Sequence, residues 1–300
     1  MIPLVARQSY IALNVKDLNA CVNDFVHVAG LQLVERSDIK AILTASSNHA
    51  ELVLHCSSKN AARCVGLEAP DAEAVGQAVA RIREAGLRVL SEQPSLDCIA
   101  RSVTFATTEG HVIEVHTPMP KTQRQRYPGP GIHPKGLCHV NLAARDPWTV
   151  HVELVKAVGL KLSERTVQND LIWLRASDGR HHTVGIAKSA HSGLHHFAWE
   201  FAQFNDFMRL GDLLDCFDRS IVWGPGRHGA GDNLFAYYVD PGGFLVECSS
   251  EMEIIQDIDF QPRVLDCPPD LSNVKVVNKW GTVPPRVWLE HHSDFASWGA

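Results

Sequence analysis

The 300-residue chain has no C-x-x-C pair and no cysteine spacing of the zinc-finger kind, although it holds eight cysteines. They stand at 21, 56, 64, 98, 138, 216, 248 and 267 and read as free thiols of a reducing cytoplasm. No apolar run approaches the roughly 20 residues of a membrane helix, so no membrane partner is expected. The opening MIPLVARQSYIAL lacks the charged start and small-residue cleavage site of a secretory leader. Basic residues are not in excess: 28 Lys and Arg face 34 Asp and Glu, for a net charge of -6. Nucleic acid is therefore not an expected partner. With 45% apolar and 21% charged residues, a disordered, collagen-like or coiled-coil chain is excluded. What the chain does have is histidine, 16 residues of it, the commonest imidazole donor to transition metals.

The chain also repeats itself. Ser9–Arg36 aligns without a gap on Cys138–Arg165, with eight of 28 positions identical, among them Asp17/Asp146, Gly30/Gly159, Glu35/Glu164 and Arg36/Arg165. Further on, TTEGHVIEV (107–115) lies over DPGGFLVEC (240–248) and pairs Glu114 with Glu247. Each half carries the same signals in the same order. An alternating apolar run (Tyr10–Val15) reads as a strand, and Asp17 or Asp146 caps a helix that ends at Gly30 or Gly159. More short strands follow, and the unit then recurs with helices over Ala72–Ala85 and Phe204–Phe217. The expected class is α+β: two tandem halves, each a pair of βαβββ modules forming an incompletely closed barrel. The halves span 1–120 and 137–250. A linker rich in Pro, Gly and charge covers 121–136, and an irregular tail, 251–300, packs on the body. Its Trp280 and Trp288 are read as packing anchors.

Three histidine-bearing or acidic strands stand out in the second half: GLCHVNL with His139, GLHHFAW with His196, and GFLVEC with Glu247. A strand sends alternate side chains to one face, and paired modules bring these strands together. Two imidazoles and one carboxylate are the facial triad of non-haem iron sites, which leaves adjacent coordination positions open. His195, beside His196, should then face the other way.

With LCHVNL, HHTVG, GLHHFAWE and the 24-residue block GPGRHGAGDNLFAYYVDPGGFLVE in view, the sequence from about residue 8 to 250 resembles the type I extradiol dioxygenases of the vicinal oxygen chelate superfamily. These are two-domain enzymes that open catechol rings beside the two hydroxyls. The resemblance implies Fe(II), with Mn(II) possible, held by His139, His196 and Glu247. It implies a catecholic substrate, O₂ as the second substrate, and a homo-oligomer. His182 matches the family's acid/base histidine, with His181 competing for the role and the H-T-V-G context favouring His182. His228 and Tyr237 match the substrate-side pair, and Tyr238 should face away. The chemistry asks for such groups: a catechol must lose a proton to chelate a metal, and histidine can take or return one near neutrality. The rival readings are a hydroquinone-cleaving relative, a glyoxalase-like isomerase or lyase, and a metal-free binding protein. Laid over the second half, the first puts Tyr10 on His139, about Val65 on His196 and Glu114 on Glu247. It should bind no catalytic metal, and Glu114 should hydrogen-bond a neighbour such as the Tyr10 hydroxyl.

Overall fold

The computed structural model describes residues 3–123, 131–257, 259–268 and 273–298; part of the expected linker, 124–130, lies outside them. The first half runs β1 (Arg7–Val15), α1 (Leu18–His27), β2 (Gln32–Arg36), β3 (Lys40–Thr44), β4 (Leu52–Cys56), β5 (Ala61–Glu68), α2 (Ala72–Glu84), β6 (Arg88–Ser91), β7 (Ser102–Ala106) and β8 (Val112–His116). The second repeats it as β9 (Gly136–Ala144), α3 (Pro147–Val158), β10 (Lys161–Thr166), β11 (Leu171–Arg175), β12 (Val184–Lys188), β13 (Gly193–Glu200), α4 (Asn205–Cys216), β14 (Trp223–Arg227), β15 (Leu234–Val239) and β16 (Leu245–Ser250). The tail adds a short strand β17 (Arg263–Leu265) and a one-turn helix α5 (Arg286–Leu289).

Each half is one open sheet of two modules, joined through their first strands. The orders are β2-β3-β4-β1-β5-β8-β7-β6 and β14-β15-β16-β13-β9-β12-β11-β10-β17. Three of the helix starts are set by side-chain caps. Asp17, Asp71 and Asp146 each accept from the backbone N–H three residues on, satisfying a donor the helix leaves open. The stops differ between halves. α3 ends at Gly159, whose φ of 73° is left-handed, the usual glycine stop. α1 ends earlier than expected, at His27 with Val28 as its cap; Gly30 serves instead in the turn that leads to β2.

One apolar core lies under the helices of both halves and includes Phe25, Phe105, Phe197, Trp199, Phe207 and Tyr238. The other sheet face differs between halves. In the first it is filled by Tyr10, Ile42, Val53, Leu96, Ile99 and Met119. In the second, Trp223, Phe235, Tyr237, Val277 and Trp288 form a partial wall around a small cavity. The tail holds the halves together at its end: Ser293 bridges Leu194 of β13, and Phe295 bridges Ala62 of β5. No helix among the described residues is long and apolar enough to cross a membrane.

Candidate metal and catalytic site

The cavity is built on the three central strands of the second sheet. Ala198 of β13 faces His139 of β9 on one side and Glu247 of β16 on the other, and His196 lies opposite Asn141. This register turns both imidazoles onto one carboxylate oxygen. His139 Nε2 and His196 Nε2 each lie 3.1 Å from Glu247 Oε2. All three side chains are buried. Burial opposes ionisation of Glu247, but the His139 and His196 rings override it and hold the carboxyl well below its usual range. Burial likewise pulls His139 down, yet Glu247 and the Cys138 thiol raise it to about 10. His196 is lowered, because burial outweighs its bond to Glu247.

The other three expected residues line the same cavity. His182 packs edge-on against His139, with ring centroids 4.2 Å apart. Burial, then the neighbouring imidazoles, push its pKa well below the usual histidine value, so it is neutral and can accept a proton. His228 Nδ1 donates to the Val277 carbonyl at 2.6 Å, and burial lowers His228 to about 4. The Tyr237 hydroxyl has one hydrogen and two acceptors at hand, Glu247 Oε2 at 2.7 Å and His228 Nε2 at 3.0 Å. Tyr238 turns the other way into the main core, with Arg219 over its ring at 5.4 Å. Tyr237→Phe is therefore expected to keep the metal and turn over about 10- to 100-fold more slowly, the usual cost of losing an outer polar partner. Tyr238→Phe should stay close to the unmodified rate in the same assay. The reverse pattern would mean that the strand register through Glu247 is off by one.

Strand alternation failed at His195. A register shift between Leu194 and His196 places a bulge there, and a bulge re-aims the side chain beside it. His195 Nε2 meets the Trp288 carbonyl at 2.8 Å and its Nδ1 lies 2.6 Å from His196 Nδ1. A carbonyl only accepts, so His195 carries its hydrogen on Nε2 and accepts from His196 on Nδ1. His196 Nε2 is thereby left as a lone pair for a metal. Trp288 was expected only to pack; it is in the cavity wall, and its carbonyl anchors this relay. Trp280 is 57% exposed, so it is no packing anchor, and stands beside Arg227 at 5.2 Å.

Two asparagines went unread. Asn233 Nδ2 donates to Glu247 Oε1 at 3.0 Å, which leaves Oε2 to the histidines. Asn141 lines the cavity and has room because its strand partner is Gly185; a Cβ there would sit 2.8 Å from Asn141 Nδ2. The sequence signal for Asn141 was its place two residues after His139, on the same strand face.

The donor set fits a divalent transition metal. His139, His196 and Glu247 offer one atom each, all within 4.8 Å of one another. The cavity wall contains no Lys or Arg to balance the buried carboxylate. In the first half, β5 and β8 pair so that Gly66 faces both Tyr10 and Glu114. Cys64, not Val65, therefore takes the place of His196, because the offset between the halves is 129 at β1 and β9 but 132 at β5 and β13, where Gly66 stands for Ala198. Glu114 accepts from the Tyr10 hydroxyl in a short hydrogen bond and from the Ser95 N–H at 2.9 Å. Glu114→Gln is expected to leave metal content and turnover essentially unchanged, read by metal analysis of the purified protein. A second tightly bound equivalent that disappears in this variant would overturn the one-site reading.

Comparison with known proteins agrees with this architecture. Residues 7–115 match the Glyoxalase/Bleomycin resistance protein/Dioxygenase superfamily. A manganese-dependent 2,3-dihydroxybiphenyl 1,2-dioxygenase from Geobacillus genomosp. 3 is 26% identical over 281 residues, spanning 86% of this chain and 89% of the relative. The Mn(II)-bound glyoxalase from Novosphingobium aromaticivorans superposes with a TM-score of 0.85 at 25% identity, over 98% of this chain and 97% of that one. Homoprotocatechuate 2,3-dioxygenase from Arthrobacter globiformis superposes at 0.89 and 22% identity, over 99% and 94%, a likeness of fold. Across most of its length the chain is thus similar to ring-cleaving dioxygenases, and its first half matches the superfamily's model.

Proposed function

We propose that the protein cleaves a catecholic ring with O₂ beside its two hydroxyls, using Fe(II) held by His139, His196 and Glu247. The observation that carries this reading is the convergence of that triad with His182, His228 and Tyr237 in one cavity. When bound, the metal supplies adjacent open positions and an electron path between a catecholate and O₂. Iron and manganese both accept this N/O donor set, and the relative from Geobacillus is named for manganese.

The chain's own groups do the rest. Leu171, Trp223 and Trp288 wall the cavity with apolar surface that holds an aromatic ring and excludes water. Tyr237 can turn its one hydrogen from Glu247 to a substrate oxygen, steadying a ring ketone as it forms. His228, pinned by the Val277 carbonyl, is placed to follow the charge on that oxygen. His182, neutral and facing the cavity, takes a substrate proton and returns it when the O–O bond breaks. Among the described residues no cysteine forms a disulfide, which suits a cytoplasmic site of action. Phe204 and Met208, exposed and one turn apart at the start of α4, offer an apolar surface on which a second copy would pack.

The test is anaerobic reconstitution with Fe(II) or Mn(II), followed by oxygen uptake across a panel of catechols and hydroquinones. The expected result is one O₂ consumed per catechol, with both atoms of labelled O₂ in the ring-opened product. Turnover of a glutathione hemithioacetal without oxygen uptake would establish the glyoxalase-like reading instead. Cleavage confined to hydroquinones would establish the hydroquinone-cleaving reading.

A further inference from the structure

His182 does not stand alone. Its Nδ1 lies 3.0 Å from His181 Nδ1. On the far side of His181, Nε2 lies 3.3 Å from Glu164 Oε2, within ion-pair reach, and both atoms are buried with no hydrogen-bond partner of their own among the described residues, so each is the other's nearest complement. The other carboxylate oxygen, Glu164 Oε1, is taken by Arg263 in a short ion pair. Arg263 comes from the tail: β17 runs parallel to β10 and sets Arg263 opposite Glu164. Glu253 holds the guanidinium from its other edge. The loop closes over His181 at Gly231, whose φ is 70° and where a Cβ would sit 2.8 Å from His181 Nδ1.

We infer that Glu164 and His181 are positioning residues that fix His182 in a single tautomer. A carboxylate only accepts, so His181 places its hydrogen on Nε2, toward Glu164. A neutral His181 must then accept at Nδ1, and the hydrogen between the two rings belongs to His182 Nδ1. His182 Nε2, which makes no protein hydrogen bond among the described residues, is left as a lone pair for the cavity. A carboxylate two rings away thus decides which nitrogen meets the substrate. Glu164, His181 and Glu253 also cluster closely enough for a cation, but the Arg263 guanidinium already fills that place.

The repeat supplies a built-in control. Leu52 pairs with Ile11 as Val184 pairs with Val140, so His49 stands where His181 does and Ala50 where His182 does. Glu35, the counterpart of Glu164, meets His49 Nε2 at 2.9 Å. The carboxylate–imidazole pair is present in both halves. Only in the second half does a histidine follow it, and only there does a tail strand bury it.

The test reads the tautomer directly, by long-range ¹⁵N–¹H correlation on histidine-labelled, Zn(II)-loaded protein, with His182→Ala to assign the signal. His182 should carry its hydrogen on Nδ1, and Glu164→Leu should lose that bias. Glu164→Gln, whose amide oxygen still accepts, should keep most of it. His181→Phe, which removes the acceptor but keeps a ring, should lose it as Glu164→Leu does. The activity arm rests on the ring-cleavage reading above. There Glu164→Leu should lower kcat about 10- to 100-fold, with metal content unchanged and no further loss in a His182→Ala background. Glu35→Gln should have no effect. A hydrogen on His182 Nε2 in the unmodified protein, or an equal Glu164→Leu loss with and without His182, overturns the inference. If the tautomer result holds and no catechol is cleaved, the positioning stands and the ring-cleavage reading falls.

Discussion

Protein carrying His139→Ala or Glu247→Ala, reconstituted anaerobically with Fe(II), is expected to come off a desalting column without its metal. Each change removes one of three protein donors that lie within 4.8 Å of one another. Losing an outer partner of a metal ligand costs roughly 10- to 100-fold in affinity, and losing a ligand itself should cost more. Glu247→Ala also leaves the Tyr237 hydroxyl and Asn233 amide without their shared acceptor. Uptake by the unmodified protein should depend on pH in a definite sense. Metal binding needs a neutral His139, whose pKa in the metal-free protein is raised to about 10 beside Glu247. Below that value a proton must leave as the metal enters, so apparent affinity falls about tenfold for each pH unit lost. Retention of a full equivalent by either variant would remove that residue from the triad.

His182→Ala is expected to bind metal and catechol as before, yet turn over about 10² to 10⁴ times more slowly, the usual worth of a general acid–base group. His182 lines the cavity, whereas His181 lies behind it against Glu164. His181→Ala should therefore cost less, because it disturbs the orientation of the acting group without removing it. Single-turnover measurements at saturating O₂ separate the two. Loss of metal in His182→Ala, or a larger defect in His181→Ala, would exchange their roles.

Much of the architecture was legible because it rests on local chemistry repeated along the chain. Asp17 and Asp146 cap helices at equivalent places for the same reason. The 129-residue offset places β1 and β9 in correspondence before any packing is known. The triad could be read as an expectation because His139, His196 and Glu247 sit on strands, where side-chain direction follows from alternation; the roles expected of His182, His228 and Tyr237 came from the resemblance instead.

What alternation could not reach was decided by partner strands and by the tail. The bulge at Leu194–His196 depends on how β13 meets β9; it turned His195 toward His196 and so oriented a metal-binding nitrogen. The counterpart of His196 is Cys64 rather than Val65 because the second half is three residues longer between its first strand and β12, and only strand pairing fixes where that length is taken up. The tail has neither a period of 2 nor one of 3.6, so nothing in its sequence placed Trp288 in the cavity wall or Arg263 over Glu164. Those positions follow from where an irregular chain finds hydrogen-bond partners and apolar surface after the sheets have formed. A sequence with no periodicity carries no record of that.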